Sequence, residues 1–201
     1  MQIGCVILAA GNARRFGQNK LLTLYEGRTL IRRAFDAVPA EGLGPVTVVT
    51  QYDAVAALAG DYGFGVVRNP APERGISSSV ALGAAAIGGD CAGLLFLAAD
   101  QPLLRRETVG ALADRFLADP TRIVVPTAEG RRGSPCVFPI SLRGELLALT
   151  GDRGGSQVIR KHPELVAEFP VPARELLDVD ILEDLAGLQN GSCGADAQSR
   201  N

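Results

Sequence analysis

The 201-residue sequence is short of the side chains on which most hydrolytic and metal-centred chemistry depends. Its single histidine, His162, lies in the polar stretch Arg160-Lys161-His162-Pro163 and reads as a solvated helix end. A Ser-His-Asp triad or a histidine-ligated zinc would rest on that one imidazole, so both are set aside. The four cysteines, Cys5, Cys91, Cys136 and Cys193, show neither close pairing nor metal-type spacing. Cys5 and Cys136 fall in apolar runs, as small buried hydrophobes. No apolar run reaches the roughly eighteen residues of a membrane helix. The start, Met1 to Ala10, lacks the basic head of a signal peptide, and the expected location is cytoplasmic. A net charge of −2 offers no footprint for nucleic acid or an acidic membrane, so any polyanionic substrate must be met by local charge. Neither an internal repeat nor a linker is visible. Residues 1–189 read as one domain, and the small, polar residues 190–201 are expected to be a frayed tail.

What the chain does have is alternation. Apolar runs at Ile3 to Ala10, Pro45 to Thr50, Phe64 to Arg68, Gly93 to Ala98 and Arg122 to Pro126 read as strands. Between them, Thr29 to Val38, Asp53 to Ala59, Ser77 to Ile87 and Glu107 to Ala118 carry helical patterns. Such alternation implies βαβ units, hence an α/β fold of three layers, α/β/α, around a mostly parallel Rossmann-like sheet. The second half is less regular. Cys136 to Pro139 reads as a strand, Ser141 to Leu149 as a helix, and Gly151 to Gly155 as a glycine-rich loop leading into another helix. A strand at Leu165 to Phe169 and a closing helix at Leu182 to Leu188 complete the pattern.

The first strand runs into Gly11-Asn12-Ala13-Arg14-Arg15-Phe16-Gly17-Gln18-Asn19-Lys20. Its glycines let backbone N–H groups approach a ligand, Arg15 offers a guanidinium fork, and Lys20 offers a point charge. Glycines and cations directly after a buried strand suit a polyphosphate, because ligands gather at the carboxyl ends of parallel strands. The loop is neither a Walker A sequence nor a dinucleotide fingerprint, since Lys20 follows Gly17 by three residues and position 13 is alanine.

Leu8-Ala9-Ala10-Gly11, followed by Arg15-Phe16-Gly17 and Lys20, resembles the signature loop of nucleotidyltransferases with a glycosyltransferase-A, or nucleotide-diphospho-sugar transferase, type of sheet. Within that group the chain resembles the MobA-like molybdenum cofactor nucleotidyltransferases, and among them the cytidylyltransferase branch. The likeness runs from Gly4 to about Leu188. It implies that Leu8, Ala9, Ala10 and Gly11 pack along a nucleotide while Arg15 and Lys20 neutralise its triphosphate.

Asp100 ends the apolar run Leu94 to Ala99 and is followed by Gln101-Pro102. A carboxylate there needs a cationic partner, and magnesium held with substrate phosphates would supply one. The alternative is a turn or helix-capping acid. The resemblance also places a magnesium ligand at this strand-Asp-x-Pro position. A second acid is sought in Leu176-Leu177-Asp178-Val179-Asp180, where alternate acids would face one side of a strand. Asp180 is the choice, although Ile181-Leu182 replaces the Thr-Pro usual in the family.

Asn69 to Ser79 links a strand to a helix of small residues. Ser77 or Ser78 is expected to cap that helix. Asn69, Gly75, Ser77 and Ser78 are expected to meet the base and ribose, and the resemblance points to cytosine through Ala-Ala-Gly in the first loop and the serine-rich segment here. Arg131-Arg132-Gly133-Ser134-Pro135 and Gly151-Asp152-Arg153-Gly154-Gly155 resemble acceptor-side elements, giving Arg132, Ser134, Arg153 and Gly154 as acceptor contacts. Many relatives have histidine where this chain has Ser134. A solvated loop and helix cap is the bland reading of the second segment.

The function so implied is transfer of CMP from CTP to the molybdopterin (molybdenum) cofactor, with release of pyrophosphate. Asp100 and Asp180 would hold Mg2+, and Lys20, Arg15 and Asp100 would be the catalytic residues. A phosphate nucleophile is already ionised at neutral pH, so no general base is required. Rival readings are a guanylyl or other NTP transferase acting on another phosphorylated acceptor, a non-catalytic molybdenum cofactor carrier, and a nucleotide-binding regulatory module. Transient contact with a molybdoenzyme, but not with nucleic acid or membrane, completes the expected partners.

Overall fold

A run of seven apolar or small residues makes β1 (Ile3–Ala9), and in the computed structural model it is buried along almost its whole length. The structure describes residues 1–11, 19–88, 90–179 and 184. After β1 come a short hairpin, β2 (Leu24–Tyr25) and β3 (Arg28–Thr29), and helix α1 (Leu30–Asp36), capped by Thr29 Oγ1 on Arg32 N. Next are β4 (Val46–Thr50), α2 (Asp53–Asp61), β5 (Gly65–Arg68), α3 (Ile76–Ala86), β6 (Gly93–Ala98) and α4 (Arg106–Ala118). The second half supplies β7 (Ile123–Ala128), β8 (Arg131–Arg132), β9 (Cys136–Pro139), α5 (Arg143–Leu147), α6 (Ser156–Lys161) and β10 (Val166–Pro170).

The main sheet runs β10-β7-β9-β6-β1-β4-β5, with β8 on the side of β7. β5, β4, β1 and β6 pair in parallel, as do β7 and β10, whereas β9 lies antiparallel between β6 and β7. Alternate strand residues feed two cores. Cys5, Ile7, Val48, Leu95 and Leu97 pack with α1, α2 and α4, while Val6, Val49, Leu94 and Phe96 pack with α3, α5 and α6. The result is the expected three-layer arrangement around a mostly parallel sheet. No helix among the described residues is long and apolar enough to cross a membrane.

The helical reading of Ser141 to Leu149 resolves into a 3-10 turn, Ile140–Leu142, and the short α5. The run Leu176 to Val179 is not a strand: it follows a 3-10 turn at Ala173–Leu176 and joins no sheet among the described residues. It bonds to the loop after β6 instead, with Val179 N donating to Asp100 O at 2.9 Å. The closing helix at 182–188, apart from Asp184, and the tail at 190–201 lie outside the described residues.

Candidate active site

β1, β4 and β6 point their carboxyl ends the same way, and the loops leaving them converge there. Three successive carbonyls, beginning at the last residue of β1, accept from three successive side chains that begin at the last residue of β4. Thr50 Oγ1 donates to Ala9 O (3.1 Å), Gln51 Nε2 to Ala10 O (2.8 Å) and Tyr52 Oη to Gly11 O (3.0 Å). This pairing fixes the backbone of the Leu8 to Gly11 loop from outside. No sequence motif marks Thr50, Gln51 and Tyr52, and the reading of the sequence missed them.

Asp100 follows β6 by two residues. Lys20 enters from a 3-10 turn, Lys20–Leu22, which Asn19 Oδ1 caps on Leu21 N at 3.1 Å. Lys20 Nζ donates to Asp100 Oδ2 at 2.8 Å and to Val179 O at 2.9 Å. Both side chains of the ion pair are largely shielded, with 13% and 25% exposure, so the attraction is screened less than at an open surface. Among the described residues, the two buried side-chain atoms without a hydrogen-bond partner, Asn19 Nδ2 and Gln101 Oε1, belong to the chain neighbours of this pair. A buried polar atom left unmet costs about 1–3 kcal/mol, so a donor and an acceptor are unsatisfied beside the residues best placed to meet a ligand.

Two clefts meet at Asp100. The smaller, about 420 Å³, is lined by Leu8 to Gly11, Lys20, Glu73, Gly75, Ser79 and Asp152. The larger, about 670 Å³, has an apolar floor that includes Val80, Phe96 and Phe138 and a rim that includes Arg131, Arg132, Ser134 and Arg160. Leu8, Ile76, Ala98 and Asp100 line both.

The expected residues distribute unevenly over this geometry. Leu8, Ala9, Ala10, Gly11, Lys20, Gly75 and Asp100 are together in the smaller cleft. Arg132, Ser134 and Gly154 are together in the larger one. Arg132 pairs with Glu168 Oε1 on β10 at 2.9–3.0 Å, and Ser134 Oγ accepts from Ala98 N at 3.3 Å, tying β6 to the β8–β9 connection. Arg15 and Asp180 lie outside the described residues.

Three placements differ from the simplest form of the sequence reading, and the one it overturns is the capping of α3. Asn69, Ser77 and Ser78 do not line either cleft. The Asn69 amide, buried, donates to Ser78 Oγ (2.9 Å) and Ser79 Oγ (3.0 Å), so it braces the loop internally. Ser77 and Ser78 do not cap α3, because Gly75 is the N-cap and the helix begins one residue earlier. That shift leaves Ser79 as the serine facing the smaller cleft. Gly75 has φ +88, and a Cβ there would lie 2.2 Å from Asp152 Oδ1 and 2.7 Å from Gly151 O. Only glycine allows the 151–155 loop to close so tightly onto the head of α3. In that loop Gly154 packs inward near Ile76, whereas Arg153 lines a separate surface hollow of about 470 Å³ beside α5 and α6. Arg160, one turn along α6, lines the larger cleft in its place.

Among the described residues no three of His, Cys, Asp and Glu gather as a metal cage. A magnesium ion held by one or two carboxylates and substrate phosphates does not require one, and Asp100 fits that donor set. Away from the clefts, His162 is the C-cap of α6, as its polar setting suggests. Its Nε2 lies 2.6 Å from Glu145 Oε1, and Lys161 Nζ is 2.7 Å from Oε2. Hydrogen bonds from Lys161 and then His162 hold the Glu145 carboxyl below its ordinary value.

Comparison with known proteins places this geometry. Residues 5–166 match the model of the MobA-like NTP transferase domain. Over 188 residues the chain is 27% identical to a molybdenum cofactor guanylyltransferase of Shewanella halifaxensis (strain HAW-EB4), covering 90% of this chain and 91% of that protein. The fold is similar to the crystal structure of Rv0371c from Mycobacterium tuberculosis H37Rv, with a TM-score of 0.79, 28% identity, and coverage of 94% of this chain and 99% of that one. A structure of Rv0371c in complex with manganese gives the same TM-score, 0.79, at 26% identity and the same coverage, 94% and 99%.

Proposed function

The chain belongs to the MobA-like NTP transferase family, and on that footing we propose that it moves CMP from CTP to the molybdopterin cofactor and releases pyrophosphate. The observation that carries this reading is the position of Asp100, in the wall of both clefts and 2.8 Å from Lys20 Nζ. The nucleotide takes the smaller cleft, with its triphosphate toward Lys20 and Arg15. The acceptor takes the larger cleft, where Arg132, Ser134, Gly154 and, in addition, Arg131 and Arg160 meet its anionic groups. Its terminal phosphate oxygen then stands at the junction, facing the α-phosphorus.

One bond forms, from that oxygen to the α-phosphorus. One breaks, from the α-phosphorus to the bridging oxygen, whose electron pair leaves with pyrophosphate. The attacking phosphate is ionised at neutral pH and needs no base. Binding therefore contributes by alignment, and Lys20 by meeting charge that develops on the leaving group. Asp100, with Asp180, would hold Mg2+, which supplies charge neutralisation between the α-phosphate and the leaving pyrophosphate. The manganese complex of Rv0371c supports a divalent ion in this role.

Support for cytosine comes from Ala9-Ala10-Gly11 in the first loop. The 27% likeness to the Shewanella guanylyltransferase favours a second reading, GMP from GTP. Thermal stability with magnesium and each of CTP, GTP, ATP and UTP separates them, because a ligand that binds only the folded state adds about 2.7 kcal/mol at a hundredfold excess over Kd. A rise selective for CTP and lost in Asp100→Asn is the expected result. A rise selective for GTP overturns the choice of base and keeps the reaction. No rise with any nucleotide, together with no pyrophosphate release on adding molybdopterin, leaves a cofactor carrier as the better reading.

A further inference from the structure

Among the described residues Glu175 is the only charged side chain that is buried, with 0% exposure. It lies in the 3-10 turn Ala173–Leu176, within a strap of chain, residues 173–179, that runs along the larger cleft. Its carboxylate meets a side-chain and a backbone donor of one residue: Arg105 Nε donates to Oε1 at 2.7 Å and Arg105 N to Oε2 at 3.2 Å. Arg105 is the N-cap of α4, and Glu175 meets its backbone N–H from seventy positions away, as the glutamate of a capping box does from within a helix.

The strap is held a second time, at its far end. Val179 N donates to Asp100 O at 2.9 Å, and Val179 O receives Lys20 Nζ, also at 2.9 Å. Between the two grips Leu176, Leu177 and Asp178 face the larger cleft. Leu176 is seated on Gly133, where an added Cβ would come within 2.9 Å of its Cδ1. Both grips close on the same short loop, since Asp100 and Arg105 bracket the turn between β6 and α4. Burying a carboxylate costs several kcal/mol, and an apolar side chain would fill the same space with less desolvation. An apolar side chain could not join the strap to the head of α4 at a fixed register.

We infer that Glu175 is a positioning residue for the transfer: it pins the strap so that Leu176, Leu177 and Asp178 form the acceptor wall. This rests on the reading that the larger cleft takes the acceptor. Small misplacement of such a wall lowers the rate steeply, so for Glu175→Ala we expect kcat/KM for molybdopterin to fall about tenfold or more while the nucleotide KM stays within about twofold. Glu175→Gln, which keeps an acceptor for Arg105 N, should restore part of the loss. Amide exchange over residues 173–179 should speed up in Glu175→Ala in parallel.

Arg105→Met provides the same test in a protein that keeps its buried glutamate, since the Arg105 side chain is half exposed. A folded variant with faster exchange in the strap and unchanged acceptor kinetics overturns the role of Glu175. So does an equal rise in nucleotide KM, or strap exchange that does not change. Wild-type protein that releases no pyrophosphate with molybdopterin and any nucleotide overturns instead the cleft assignment on which the inference rests.

Discussion

Replacing Asp100 by asparagine keeps the shape of the side chain and removes the charge that Lys20 Nζ meets at 2.8 Å. Single-turnover pyrophosphate release should fall by about two to three orders of magnitude, the scale of losing one preorganised electrostatic contact. Lys20→Ala should cost a comparable factor, and the double variant little more than either, because the two act as a unit. Their placement in one cleft was legible because a cation-bearing glycine loop and a strand-ending acid each break an apolar run. The serines were less legible. The helix begins at Ile76 rather than Ser77, with Gly75 at positive φ as its N-cap, and Ser79 is the serine that lines the smaller cleft. Arg160 was hidden for a related reason: its side of α6 depends on how the preceding glycines turn the chain.

At the scale of elements, the join between α3 and the 151–155 loop leaves no room for a side chain at Gly75. Gly75→Ala would force a side chain into positive φ and against Gly151 O at 2.7 Å. The expected cost is about 1–3 kcal/mol in urea unfolding, with weaker nucleotide binding in the same variant. α3 is also held close to the sheet: a Cβ at Gly83 would lie 2.2 Å from Val6 Cγ1. The first half of the sheet could be read in advance because β1, β4 and β6 are short apolar runs separated by helices, which is the pattern of parallel strands buried on both faces. The second half could not be read as fully. Its elements are short, β9 reverses direction, and the strap keeps strand-like spacing while its hydrogen bonds go to the loop of Asp100.

For the whole molecule, two thiols set a limit on alkaline stability. Burial pushes the Cys5 thiol from 9.0 up to about 12, and burial does the same at Cys136, slightly opposed by Arg132. The folded state therefore keeps protons that the unfolded chain releases. That contribution is complete below pH 9 and is lost as pH rises from about 9 toward 12. Denaturation measured at pH 8 and pH 10 should show the loss, and Cys5→Val, matched in size, should reduce it. Native protein at neutral pH should also resist thiol reagents at Cys5, which is fully buried.

Leu8, Ile76, Ala98 and Asp100 belong to both clefts, which gives the proposed product a property that neither substrate has. A dinucleotide joined at the shared wall occupies both sites at once. Each half holds the other at high local concentration, so dissociation requires both to let go together. Departure of the product, rather than bond formation, should then limit turnover. Rapid mixing should show a burst of pyrophosphate close to one equivalent of enzyme, followed by a slower steady rate. A protein that withdraws the finished dinucleotide from the clefts should raise that second rate and leave the burst unchanged.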